Sequence, residues 1–335
     1  MTSRHLVTSL LVLAACHGSE MQAPSAGPLA TVSFAACDGY AGGVTVSSSE
    51  ALERALASAR PGDVIRLARN TVYAGTRRVT GRSGTKKRPI VVCGDRSAVW
   101  TGDFKADGMN WWVFQGFTIR DAFQSFHAKR SSHNRVQGLE IFNVGQEGIH
   151  FLCSSVGNVI QGNWIHDTGT GPHPEFGEAV YLGTHPEHIE ARCGQSTLDR
   201  SDSNQVIENR FGPNVRSEDV DAKEGTRWGV IARNTSDGRG KVVIAGQFSA
   251  SIKVQQQTKG YRVSRNRIDG GAATAGTAVG DAIQLLGASA EAHRNEVRLG
   301  PATGYAIRTK KTGNIVYCDN LADPSSRLSN VPCTP

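Results

Sequence analysis

The feature that most constrains this chain is a short apolar motif carrying an asparagine that returns at intervals of tens of residues. It is read at Val159-Ile160-Gln161-Gly162-Asn163-Trp164-Ile165, at Val206-Ile207-Glu208-Asn209-Arg210-Phe211 and at Val230-Ile231-Ala232-Arg233-Asn234. It returns around Asn266, Asn295 and Asn320. Repetition at such a spacing points to supersecondary units that cannot bury their apolar faces alone and must stack. An asparagine at a tight bend tolerates the left-handed backbone and bonds neighbouring peptide groups. Placed on successive coils, these asparagines would form one ladder.

A second set of strands falls between those motifs. The quartets are Phe126–Lys129, Ile149–Leu152, Val180–Gly183, Val220–Lys223, Ile252–Gln255, Ile283–Leu286 and Ile307–Lys310. Side chains alternate along a strand, so the apolar first and third residues fill a core and the second and fourth point outward. The outward residues make two columns. One reads His127, His150, Tyr181, Asp221, Lys253, Gln284, Arg308, and the other Lys129, Leu152, Gly183, Lys223, Gln255, Leu286, Lys310. Segments 167–177 and 185–203 are longer than the repeat needs and are expected to wall a groove over these columns. Upstream, Ser47–Ala57 reads as a capped amphipathic helix ended by Pro61-Gly62-Asp63 and followed by strand Val64–Leu67. The pattern resembles the right-handed parallel β-helices of the pectate-lyase-like superfamily. That resemblance implies an all-β solenoid with a short N-terminal capping helix, which would cover the otherwise open first coil.

The N-terminus reads as an export signal. Leu10-Leu11-Val12-Leu13 is an apolar core, and Leu13-Ala14-Ala15-Cys16 resembles the lipobox of bacterial lipoproteins. The resemblance implies a signal peptide over 1–15, a lipidated Cys16 and a tether over 16–36 before a single β-helix domain over 37–335. His17 after Cys16 points to the outer membrane or cell surface. The apolar stretch is shorter than the roughly 20 residues of a membrane span, so attachment is expected through lipid alone, and a monomer is expected. With Cys16 so used, Cys37, Cys93, Cys153, Cys193, Cys318 and Cys333 form an even set, which in an exported chain favours disulfides. Order and repeat position favour pairing Cys37–Cys93, Cys153–Cys193 and Cys318–Cys333. The formal charge of +7 suits an acidic polysaccharide, and the chain carries no nucleic-acid module.

Polar groups concentrate at Ser217–Thr226. A lyase acting on a uronate needs a base for the proton beside the carboxylate, a positive charge on that carboxylate, and an acid for the leaving oxygen. Lys223 is the candidate base, provided Lys253 and Arg227 lower its pKa. Tyr181 or His150 is the candidate acid, and Asp221, Arg227, Gln255 and Arg308 are expected substrate contacts. Glu218 with Asp219 or Asp221 offers oxygen ligands for Ca²⁺. Glu218-Asp219-Val220-Asp221-Ala222-Lys223 resembles the catalytic coil of the chondroitinase B and alginate lyase family. There a calcium-binding acid stands five positions before a lysine base, the spacing of Glu218 and Lys223. Arg216 stands where that family has a further acidic ligand. Gln255 stands where it has a second catalytic cation, for which outward Lys253 is the substitute.

Other readings of the same residues compete. The acid before the outward strand recurs as Glu147, Glu178, Glu218 and Asp281, as a backbone-bonding bend device would. An Asp221–Lys223 pair on a solvent face would be a weak ion pair. The histidines at 166, 173, 185 and 188 crowd the insertions, where loop histidines are usually solvated. A non-catalytic glycan-binding or envelope-structural lipoprotein is therefore the alternative to a lyase.

Overall fold

The computed structural model describes residues 34, 36–242, 250–270, 280–299, 304–324 and 326–335. The signal peptide, Cys16 and most of the tether lie outside the described residues. The chain winds into three parallel sheets of 11, 10 and 10 strands. Each coil gives one strand to each sheet, and a strand pairs with its counterpart one coil on, as Phe126–Lys129 does with Ile149–Leu152. The fold is a right-handed parallel β-helix.

The capping helix, α1 (Ser49–Ser58), begins at Ser48, whose hydroxyl accepts from the Ala51 amide. Its Leu52 and Leu56 are buried in the core. Strand Val64–Leu67 follows as expected, and a strand not anticipated, Val44–Val46, extends the same sheet beyond it. Down the solenoid the core is filled by the inward residues of each strand, among them Phe126, Phe151, Leu182, Val220, Val254 and Ile283.

The asparagine ladder runs from Asn163 to Asn320. The Asn163 side-chain amide donates to Asn209 Oδ1 at 2.9 Å, Asn209 to Asn234 at 3.0 Å, and the series continues through Asn266 and Asn295. Each of Glu208, Arg233, Arg265 and Arg294, immediately before a ladder asparagine, has a left-handed φ of 49–59°. That conformation turns the corner and leaves the asparagine to bond the next coil. A second ladder, Asn134–Asn158–Asn204, occupies an earlier corner. All three expected disulfides form.

Trp111 and Trp112 divide as alternation demands. Trp112 is buried in the core, while Trp111 lies at a left-handed bend, stacked on His133 at 4.4 Å.

Candidate active site

The ten-stranded sheet that carries the quartets presents the first column in the expected register. His127 stands beside His150, then Tyr181, Asp221, Lys253, Gln284 and Arg308 follow, one per coil. Both insertions wall this face. The first forms a single turn at Pro174–Phe176. The second carries a turn at Pro186–His188 and the helix α2 (Ile189–Cys193). Its position is fixed twice. Cys193 is bonded to Cys153 at the end of strand Ile149–Leu152. The buried Asp199 carboxylate accepts from the Cys153 and Ser154 amides and from the Thr184 hydroxyl at 2.7–2.8 Å. Between the walls lies a cleft of about 570 Å³ with Tyr181, Glu178, Glu218, Asp221, Lys223, Lys253 and Gln255 on its floor, and Glu175, Glu187 and Arg192 on its sides.

The floor is a network of buried charges. Lys223 Nζ lies 2.7 Å from Asp221 Oδ2 and 4.8 Å from the centre of the Tyr181 ring. Lys253 Nζ donates to Glu218 Oε1 at 3.1 Å, and the Ser217 hydroxyl donates to its other oxygen at 2.6 Å. Gln255 Nε2 reaches Asp221 at 3.4 Å. Burial opposes the charge on Lys223, but Asp221, Tyr181 and Glu178 outweigh it and raise the ammonium above its ordinary value. The expected lowering by Lys253 and Arg227 is thus overturned, because Asp221 is in direct contact and Arg227 is not a cleft residue. Burial likewise opposes Lys253, and Glu218 raises it. Burial raises the Tyr181 phenol strongly, and the nearby Lys223 ammonium only partly offsets this.

Glu178 differs from the other acids. It is almost fully buried, its Oε2 has no hydrogen-bond partner, and burial together with Glu218, Glu147 and Asp221 raises its pKa well above the ordinary value. Glu218, equally buried, is brought below its ordinary value by Lys253, Ser217 and Lys223. Oxygen atoms of Glu178, Glu218 and Asp221 all lie within 4.8 Å of one another. These three, rather than Glu218 with Asp219, are the group that could hold a cation. Asp219 turns into the core, where Lys241 meets it at 2.7 Å and the Ser236 hydroxyl donates to it. It is a buried structural ion pair.

Three further expected site residues fall elsewhere. His150 lies behind the cleft with both ring nitrogens engaged. Nε2 donates to the Gly183 carbonyl at 2.8 Å, and Nδ1 faces Glu147 at 3.5 Å. Its ring packs edge-on against Tyr181 at 4.2 Å, so it positions the tyrosine and does not reach the cleft as an acid. Arg227 sits past the bend beside Trp228, its guanidinium 6.0 Å from that ring. Arg308, three coils below Asp221, is bound to Asp281 and lies over Tyr305. The four recurring acids are not one device. Asp281 does accept from a backbone amide, that of Tyr305, whereas Glu147 is held by Gln124 and His150. That contact and its companions bring Glu147 to about 2 against the cost of burial. Glu178 is legible in the sequence only as that recurrence, and Asp199 and Lys241 stand in no repeat or motif that marks them. His166, flanked by Glu140 and Asp167, lies outside the cleft with its ring stacked on Trp164.

A family model described as periplasmic copper-binding protein (NosD) matches residues 113–251. No curated protein matches the sequence. Among solved structures, the alginate lyase from Paenibacillus sp. str. FPU-7 superposes with a TM-score of 0.77 over 87% of this chain and 99% of that one, at 23% identity. Pectate lyase Pel9A gives a TM-score of 0.52 at 14% identity, covering 84% of this chain and 75% of that one. These likenesses establish the fold.

Proposed function

We propose that this chain is a polysaccharide lyase that cleaves an acidic, uronate-containing polysaccharide by β-elimination. The observation that carries the reading is the convergence of Tyr181, Lys223, Asp221 and Lys253 on the floor of one walled cleft. It is supported by the enzymes whose fold the chain shares, one acting on alginate and one on pectate.

In the proposed reaction Lys223 removes the proton from the carbon beside the uronate carboxylate. The electron pair of that C–H bond forms a carbon–carbon double bond, the neighbouring C–O bond breaks, and the departing oxygen takes the Tyr181 phenolic proton. Burial keeps that proton on Tyr181 until an oxyanion develops beside it. Lys253 stabilises the charge that accumulates on the carboxylate. Lys223 rests as an ammonium locked to Asp221, so the substrate must break that ion pair before the amine can act. Activity is therefore expected to rise with pH above neutrality.

The three clustered carboxylates are an all-oxygen donor set, which suits calcium or magnesium. Copper favours imidazole or sulfur ligands, and among the described residues this cluster contains neither. Where calcium binds, Glu178, Glu218 and Asp221 hold it and it adds positive charge for the uronate carboxylate. Export and lipid anchoring through Cys16 would place the enzyme on the bacterial envelope, in reach of extracellular polymer.

β-Elimination leaves an unsaturated sugar that absorbs in the ultraviolet. Incubation with alginate, pectate and chondroitin, with and without chelator, is expected to give that signal with one of them. Lys223→Ala is expected to lose activity by a factor of about 10³, within the range for a positioned proton-transfer group. Silence with every polymer, or full activity in the variant, overturns the reading. Binding without turnover, unaffected by Lys223→Ala, would identify a glycan-binding protein instead.

A further inference from the structure

The sheet face that carries the cleft continues for three coils toward the N-terminus, and its character changes there. A second depression of about 460 Å³ is lined by Arg78, Lys105, Lys129 and Arg192, with Asp107 and His127 between them. Arg78, Lys105 and His127 continue the column of Tyr181 and Asp221, one residue per coil. Asp107 is the one acid in this lining, and Arg130, from the neighbouring bend, is already bound to it. Burial holds His127 at about 3, with His150 adding to the effect, so it contributes no charge near neutral pH. Lys129 is lowered by partial burial and by the positive charges of Arg130, Arg192 and Lys105, with Asp107 opposing. Lys105 is paired with Asp103 at 3.2 Å, whereas among the described residues no carboxylate lies within ion-pair distance of Arg78, Lys129 or Arg192.

The two depressions adjoin. Arg192 lines both, and Lys129 Nζ donates to its carbonyl at 3.1 Å. The reaction cleft is rich in acids, and its two floor ammonium groups are already bound to Asp221 and Glu218. A polyanion entering it passes Glu175 and Glu187 on the sides, offset there by Arg192, and reaches ammonium groups that are already bound.

We propose that the basic depression formed by Arg78, Lys105, Lys129 and Arg192 is a separate binding site for the anionic polymer, holding sugar units remote from the bond that breaks. The inference rests on the acidic-polysaccharide reading above and adds where the polymer is held and in which direction it runs, along the solenoid axis. Binding at the remote site then helps the reacting unit displace the ion pairs of the cleft floor, as binding energy from non-reacting parts of a substrate can. Tyr181 and Lys105 are three coil spacings apart, about 14 Å. A disaccharide in the reaction cleft is too short to use the remote site, and a hexasaccharide is long enough.

Calorimetric titration in the Lys223→Ala background, where turnover is removed, separates binding from chemistry. The Lys105→Gln/Lys129→Gln pair is expected to weaken an alginate hexasaccharide tenfold or more and to leave the disaccharide within twofold. It should also flatten the salt dependence of hexasaccharide binding, since exposed charges are screened. Arg78→Gln/Lys129→Gln, which spares both the Lys105–Asp103 ion pair and Arg192 on the cleft side, should act in the same direction and serves if the first pair disturbs folding. Unchanged hexasaccharide affinity in both pairs, or equal losses for both sugars, overturns the proposal. A hexasaccharide that binds through these cations yet yields no unsaturated product supports this site while sinking the lyase reading. A hexasaccharide cleaved normally by both pairs, with affinity intact, does the reverse.

Discussion

Two rows of buried polar side chains run along this solenoid, one residue per coil, and they are finished differently. In the ladder from Asn163 to Asn320, the asparagine side chains are paired on both sides. Asn209, for example, accepts from the Asn163 backbone and side-chain amides and donates to Asn234 and to the Ile160 carbonyl. On the cleft sheet, Glu178 Oε2 and Asp221 Oδ1 are buried without a hydrogen-bond partner. Native interiors satisfy nearly all such atoms, so the exceptions call for a cause. The ladder uses its polar capacity on the fold, and the cleft holds capacity in reserve for a ligand, a proton or an ion.

The sharpest way to break the comparison is to damage the ladder. Asn209→Ala orphans the buried Asn163 backbone amide, costing roughly 1–3 kcal/mol, and also removes the side-chain bonds to Asn234 and the Ile160 carbonyl. A loss of about 3 kcal/mol is expected in denaturant unfolding, with the activity of the folded fraction unchanged. If turnover fell as far as stability did, the two rows would not be functionally distinct. A smaller effect is expected from Asp221→Asn. Asp221 is the largest influence raising Lys223 against burial. Its neutralisation should move the rising limb of the pH–activity profile to lower pH by about one unit, the low end for a contacting opposite charge. A profile that stays in place removes Lys223 from the role of base.

The ladder was legible in the sequence and the reserve was not, for a physical reason. A corner asparagine is fixed by local backbone geometry, and the alternation of Ile149–Leu152 or Val220–Ala222 is fixed by the pleat, so both appear as pattern. The shorter ladder of Asn134, Asn158 and Asn204 has only three members, with both insertions between the last two, too short a run to stand out as a repeat. Asp219 sits one residue from an outward acid, and only the bend decides that it turns inward to Lys241, 22 residues on. Glu178 owes its properties to Glu218, Glu147 and Asp221, which the winding brings close and the sequence keeps apart. Partners of that kind have no spacing rule; the Asp221–Lys223 pair does, but its burial does not show in the spacing, and the buried contact outweighs Lys253 and Arg227 in raising Lys223.

The smallest effect bears most directly on the reserve. Glu178 has a raised pKa in the fold, from burial first and then from Glu218, Glu147 and Asp221. Above its ordinary value of 4.5 the unfolded chain has released a proton that the folded chain still holds. Stability linked to this group therefore falls as pH rises, until the folded group also ionises, by at most about 1.4 kcal/mol per pH unit. Glutamine cannot ionise. The stability of Glu178→Gln relative to the native protein should therefore improve steadily between pH 5 and 8, read from unfolding midpoints. The cost of Glu147→Gln should instead stay constant above 4.5, because Glu147 lies at about 2 in the fold. Its contribution is complete above 4.5 and disappears as pH falls through 2, so its removal costs stability throughout the neutral range. Parallel pH slopes for all three proteins would mean that the cleft carboxylates are as well satisfied as the asparagines. Calcium adds a further division, because a cation that binds only the fold stabilises it. It should stabilise the native protein more as Glu178 gives up its proton, and Glu178→Gln much less.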